Sequence, residues 1–257
     1  MLAIDPIPAF TDNYIWIIHD QTHAVVVDPG TASPVLKYLH SKNLQLIGIL
    51  ITHHHADHTQ GIRDLLQSFD VPVYGPRNEV IPDITHPLNE GDNIFLDELS
   101  LNLTILDTPG HTAGHIAYCA NHPANMIFCG DTLFSCGCGK MFEGTAQQFY
   151  ESLQKLSRLP DKTLVYCTHE YTLNNIRFAK EVDPENSALL SFEKKAHELQ
   201  NHNFPTIPTT LALEKSINPF LRCNQPAIIN SIQAHFQQIT VDPVKIFALL
   251  RQWKNTF

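Results

Sequence analysis

The sequence predicts a β-rich α/β domain over residues 1–172, followed by a smaller α-helical domain over residues 173–257. Three observations lead there. Short β-rich runs alternate with helical patterns through roughly the first 170 residues, and the remainder is helical by spacing. Charge divides at the same place. Met1–Thr172 holds 8 Lys and Arg against 19 Asp and Glu, a net −11, and Leu173–Phe257 holds 9 against 7, a net +2. Finally, 257 residues are more than one average domain of about 150 requires and fewer than two would take.

Tyr14–Ile18 and Ala24–Val27 read as short strands, the second ended by Asp28-Pro29-Gly30. Ser33-Pro34 fits an N-cap with proline at the first helical position, opening a helix to about Asn43. Leu46–Ile51 is a buried-strand pattern that runs into Thr52-His53-His54-His55. A helix over about Thr59–Phe69 and a strand around Val71–Tyr74 come next. A second β-rich stretch covers Ile94–Leu96, Leu99–Leu106, His115–Cys119 and Met126–Cys129. Thr145 with Gln148 three residues on has the form of a capping box, for a helix ending near Pro160. Thr163–Cys167 is a strand entering Thr168-His169. Beyond it, Tyr171–Val182, Asn186–Asn201 and Pro226–Phe236 are helical, residues 204–209 form a linker, and Asp242-Pro243 caps a helix to about Lys254.

Composition excludes several classes. With 43% hydrophobic and 17% charged residues, the chain has the make-up of a globular protein with a sizeable core, not of a disordered or fibrous one. Its longest apolar stretches fall far short of the ~20 residues a membrane span needs. Residues 1–6 have neither a basic nor an apolar leader region, so no secretory signal is expected. The six cysteines form no CxxC pair, which suits a reducing compartment, and a cytoplasmic location is expected. The acidic first part argues against nucleic-acid binding.

Fifteen histidines are the unusual figure, and they cluster. His53-His54-His55-Ala56-Asp57-His58 follows a strand. Alternation at the strand end turns His53 and His55 the same way and His54 the other, while Asp57 and His58 sit on the next turn. Imidazole and carboxylate donors suit zinc, iron or manganese. Three nitrogen ligands with an open position make a hydrolytic site, and a second carboxylate-containing set makes a binuclear one.

This HxHxDH pattern, with Thr108-Pro109-Gly110-His111-Thr112-Ala113-Gly114-His115 and Cys129-Gly130-Asp131-Thr132, resembles the metallo-β-lactamase superfamily. Gly137-Cys138-Gly139-Lys140, Thr168-His169-Glu170-Tyr171-Thr172 and Asn218-Pro219-Phe220-Leu221-Arg222 extend the resemblance to the glyoxalase II (hydroxyacylglutathione hydrolase) family, over essentially the whole chain. It implies an αββα sandwich with a C-terminal helical, glutathione-binding domain. It also implies two divalent cations, zinc foremost with iron or manganese as alternatives. His53, His55 and His111 would bind the first and Asp57, His58 and His169 the second, with Asp131 bridging.

The implied reaction is thioester hydrolysis of an S-(2-hydroxyacyl)glutathione such as S-D-lactoylglutathione, giving glutathione and D-lactate, the second step of methylglyoxal detoxification. A hydroxide shared by the cations would attack the carbonyl, with Asp57 or Asp131 taking the proton. A thiol leaving group with pKa near ~8.5 departs without a strong general acid, which fits a motif set that contains none. By resemblance, Lys140, Phe142 and Tyr171 contact glutathione, and Arg251 with Lys254, three apart on the last helix, holds its glycine carboxylate. Many family members have tyrosine where this chain has Phe142, so a hydroxyl contact is missing. A monomer is the expected state.

Two further readings are a glutathione persulfide dioxygenase and another hydrolase of the superfamily. The complete second ligand set and the helical tail weigh against the first, the glutathione-type tail against a lactonase or β-lactamase, and the acidic balance against a nuclease. Asp28 either orients a ligating histidine or only forms a turn. His115 reads as a structural hydrogen-bonding partner, and Cys136 and Cys138 as loop thiols open to modest oxidation. His19, His23, His40, His86, His122, His197, His202 and His235 read as surface residues.

Overall fold

The structure, a computed structural model, describes residues 2–257. They form two compact units, one running to Thr108 and from Thr112 to Gly130, the other comprising Pro109–His111 and Asp131–Phe257.

The first unit holds β1 (Ala3–Ala9), β2 (Asn13–His19), β3 (His23–Val27), α1 (Ala32–Lys42), β4 (Gln45–Leu50), α2 (Ala56–Thr59), α3 (Ile62–Leu66), β5 (Val73–Pro76) and β6 (His86–Leu88), and continues with β7 (Asn93–Leu96), β8 (Leu101–Asp107), β9 (Ile116–Ala120) and β10 (Met126–Gly130). Strands β1 to β6 make one mixed sheet in chain order, antiparallel from β1 to β3 and parallel from β3 to β6. Strands β7 to β10 form an antiparallel meander. β3 and β4 are apolar on both faces because both are covered: Val25, Val26, Val27, Ile49 and Leu50 are fully buried. β8 alternates instead, burying Leu101, Leu103 and Ile105 while Asn102 faces solvent. Across this unit the Tyr118 hydroxyl of β9 donates to the Ile51 carbonyl at 2.7 Å, and Ile116 N–H donates to the Thr52 carbonyl at 2.9 Å. Those bonds fix where β4 ends and the histidine run begins.

The second unit holds β11 (Leu133–Phe134), β12 (Gly137–Cys138), α4 (Ala146–Ser157), β13 (Leu164–Cys167), α5 (Thr172–Val182), α6 (Ser187–Asn201), β14 (Thr209–Thr210), α7 (Leu211–Ile217), α8 (Pro226–Phe236) and α9 (Pro243–Thr256). The Thr145 capping box is formed: Gln148 N–H donates to Thr145 Oγ1 and Thr145 N–H to Gln148 Oε1. Phe149, Leu153 and Leu156 then bury one stripe of α4. Ile176 and Ala179 of α5 pack with Leu189, Phe192 and Ala196 of α6 and Ile217 of α7. The β11–β12 hairpin is anchored by side chains from these helices. Asn175 donates to the Ser135 carbonyl, Asn218 to those of Phe134 and Gly137, and the buried Glu214 carboxylate accepts from Cys136 N–H. Among the described residues, no helix is long and apolar enough to cross a membrane.

Several expectations are corrected. α1 starts at Ala32 after Thr31, not at Ser33-Pro34. Proline is tolerated inside the first turn because those N–H groups have no helical acceptor. The helix expected over Thr59–Phe69 is two short ones split at Gly61, where a Cβ would lie 2.4 Å from the Pro29 carbonyl. β8 begins at Leu101 because Ser100 takes a left-handed conformation after a short 3₁₀ turn. β1, with its two prolines, was not expected; as an edge strand it tolerates their missing donors. Nor was α7, which follows directly on the expected linker. Cys136 and Cys138 are buried rather than open loop thiols, and burial pushes the Cys138 thiol up to about 11, so it stays protonated. His19 is half-buried, bonded to Asp5 at 3.0 Å beside Tyr38.

Candidate metal centre

The first unit presents His53, His55, Asp57 and His58 where β4 gives way to α2. His53 and His58 are buried, and His55 and Asp57 line the open side. A hydrogen-bond chain fixes the His53 tautomer. The Thr52 hydroxyl donates to Asp28 Oδ2 at 2.7 Å, so its lone pair faces His53 Nδ1 at 3.0 Å and that nitrogen carries the proton. His53 Nε2 therefore turns a lone pair toward His55 Nδ1, 3.1 Å away. Asp28 stands in the turn with φ +52 and braces His53 through its bond to Thr52; its Oδ2 also lies 3.2 Å from His58 Nδ1. The Asn13 amide donates to Asp57 Oδ2 at 3.0 Å. His115 stacks on His53 with centroids 4.8 Å apart and bonds Thr108 through Nδ1, in keeping with a structural part.

The second unit presents His111, Asp131 and His169 from three loops. Gly110 has φ +150, and a Cβ there would lie 2.2 Å from the Phe149 ring, so glycine lets the His111 turn sit on α4. His111 Nε2 lies 3.4 Å from Asp131 Oδ2, and His169 Nε2 lies 3.4 Å from Asp131 Oδ1. Thr168 donates its hydroxyl to Oδ1 at 2.6 Å. One buried carboxylate thus meets an imidazole at each oxygen, the donor chemistry of a bridging ligand. His111 Nδ1 is 2.7 Å from the Lys140 carbonyl, an acceptor only, so Nδ1 is the protonated nitrogen. In the neutral ring, Nε2 then opposes the Asp131 oxygen lone pair to lone pair. A cation on that nitrogen relieves the clash, and by this test the donors fit divalent metal ions.

Residues expected to touch substrate all fall in the second unit. Lys140 is exposed and its ammonium lies 5.1 Å from the centroid of the exposed Phe142 ring, which meets His111 edge-on at 5.3 Å. Tyr171 stacks flat on His169 at 4.7 Å, with Phe134 edge-on to both. Arg251 is 6% exposed, and its Nη1 donates to the carbonyls of Cys138 at 3.0 Å and Gly139 at 3.3 Å. Lys254 donates to the Asn174 carbonyl at 3.3 Å, and burial with Arg251 beside it brings its ammonium down to about 8. Nothing in the sequence marks Asn13, Thr52 or Thr168 as bonding partners of these donors, since a lone asparagine or threonine has no pattern to read.

Residues 9–169 match the metallo-β-lactamase superfamily, and residues 170–257 match the hydroxyacylglutathione hydrolase C-terminus. The hydroxyacylglutathione hydrolase of Nitrosomonas europaea is 58% identical, covering 100% of this chain and 97% of its own. That of Shewanella halifaxensis is 53% identical, covering 100% of both. The solved ETHE1 of Myxococcus xanthus aligns with a TM-score of 0.65 over 100% of this chain and 99% of its own, at 24% identity, a likeness of fold alone. The chain belongs to the hydroxyacylglutathione hydrolase family of the metallo-β-lactamase superfamily.

Proposed function

We propose that this chain is a thioester hydrolase that cleaves S-(2-hydroxyacyl)glutathione, with S-D-lactoylglutathione as substrate, to glutathione and a 2-hydroxy acid. The match of residues 170–257 to the hydroxyacylglutathione hydrolase C-terminus carries this reading, since it separates this family from others built on the same fold. The donor chemistry supports two divalent cations, with zinc the first choice and iron or manganese compatible with the same ligands. His53, His55 and His111 would hold the first and Asp57, His58 and His169 the second, with Asp131 shared. Residues 1–172 would carry the chemistry and the glutathione contacts of Lys140, Phe142 and Tyr171, with residues 173–257 adding those of the helical domain, in a cytoplasmic monomer.

Bound cations would supply a water of lowered pKa and a polarised carbonyl. The chain's own residues do the rest. Asp57, its carboxylate held by Asn13, takes a proton from the attacking water. Asp131 is less suited to that task, since each of its oxygens already faces an imidazole. The departing thiol, with pKa about 8.5, leaves as thiolate, so no dedicated acid is required. Lys140, Phe142 and Tyr171 receive the tripeptide. Lys254 supplies the cation for its glycine carboxylate, and Arg251 chiefly fixes the backbone that presents Lys140, because its guanidinium already bonds two carbonyls.

The test follows thiol release from S-D-lactoylglutathione and from a thioester lacking glutathione. The reading expects the former to be strongly preferred. Equal rates, or oxygen uptake with glutathione persulfide and no thiol release, would contradict it.

A further inference from the structure

His54 lies between two of the candidate donors, and its ring has a specific partner of its own. His54 Nδ1 donates to Glu79 Oε2 at 2.9 Å. The other oxygen of Glu79 accepts a short hydrogen bond from the Thr112 hydroxyl. Glu79 stands in the connection between β5 and β6 beside Val80, which is 95% exposed, yet its own side chain is only 2% exposed. Burying a carboxylate costs several kcal/mol unless its oxygens are bonded, so these contacts are not incidental. The turn at Thr112–His115 closes over it because residue 114 has no side chain: a Cβ on Gly114 would lie 2.6 Å from Glu79 Cγ.

The position of the two partners gives the contact its meaning. His54 lies between His53 and His55, and its ring meets that of His55 edge-on at 5.0 Å. Thr112 directly follows His111. One buried carboxylate therefore grips the immediate chain neighbours of all three residues assigned above to the first metal. In the second set, Asp57 is held by a different residue, Asn13.

We propose that Glu79 is a positioning residue for the first metal, tying the His53–His55 segment to the Thr112–His115 turn that follows His111 in the chain. The inference rests on the metal assignment proposed above. It predicts a selective effect, because a contact that only stabilised the fold would not distinguish one cation from the other.

The experiment titrates zinc into the metal-free full chain against a chromophoric chelator, for wild type, Glu79→Ala and Glu79→Gln, with thermal unfolding of each metal-free form. Wild type should take up two ions. Glu79→Ala should bind one with unchanged affinity and the other about 10- to 100-fold more weakly. Glu79→Gln should recover much of that loss, because its amide oxygen still accepts from Thr112 and its NH₂ can donate to the other His54 tautomer. If Glu79→Ala does not fold, Thr112→Val removes one of the two bonds at nearly constant volume and should weaken the same single ion. Equal weakening of both ions, or two unchanged affinities in a folded variant, would overturn the role of Glu79. A wild-type chain that takes up fewer than two ions would instead overturn the underlying assignment, a failure visible without any substitution.

Discussion

The donors of the first unit come from one stretch, residues 53–58, at a strand end that runs straight into a helix. Those of the second come singly, from His111, Asp131 and His169 on three loops. Their support differs accordingly. Asp28 serves the first set through two routes, bonding Thr52 beside His53 and facing His58 itself. In the second set the carboxylate Asp131 is the hub, with an imidazole at each oxygen and Thr168 on one of them. A compact motif can share one external brace, whereas dispersed ligands must organise around one of their own number.

That contrast can be broken at its centre. Replacing Asp131 by Asn keeps the shape but removes the charge that serves both imidazoles. Thiol release should fall by more than about a hundredfold, since merely losing a ligand's supporting contact already costs 10- to 100-fold, and metal per chain should fall with it. Asp28→Asn is a milder change, because asparagine tolerates the left-handed turn and keeps an acceptor for Thr52 N–H. Zinc affinity should drop about tenfold while the fold persists, read by chelator competition. A drop as large as that of Asp131→Asn would mean that Asp28 is itself a ligand.

The substrate residues sharpen the comparison further. Arg251→Ala releases the carbonyls of Cys138 and Gly139, so kcat should fall as well as KM rise; Lys254→Ala should raise KM alone. Steady-state kinetics separates the two. The smallest effect concerns pH. Lys254 is cationic below about 8 and neutral above it, because burial lowers its ammonium. An anionic substrate favours the cation, so KM should climb as pH passes 8, and Lys254→Arg should keep KM flat across that range.

The sequence disclosed the contiguous half of the site readily. His53, His55, Asp57 and His58 announce themselves by spacing, and the Thr145 capping box and the Asp242 cap were legible because each is set by residues two or three apart. His111, Asp131 and His169 were legible only through resemblance, since single residues on separate loops have no period to read. The supporting contacts were hidden for a related reason. Asn13 meets Asp57 across 44 residues of chain, from the start of β2 to the turn after β4, a pairing no local pattern encodes. The helix breaks at Gly61 because its N–H donates to the Pro29 carbonyl at 2.9 Å rather than one turn back, a constraint that periodicity does not encode. Arg251 read by resemblance as paired with Lys254 on a carboxylate, and no local pattern foretells that its Nη1 donates to the Cys138 carbonyl of the β11–β12 hairpin.

Metal stoichiometry on the purified, metal-replete chain, taken by elemental analysis against protein concentration, tests the central claim most directly. Two ions per chain are expected from seven ligands with Asp131 shared between them. A stable value of one, with thiol release from S-D-lactoylglutathione at full rate, would contradict it.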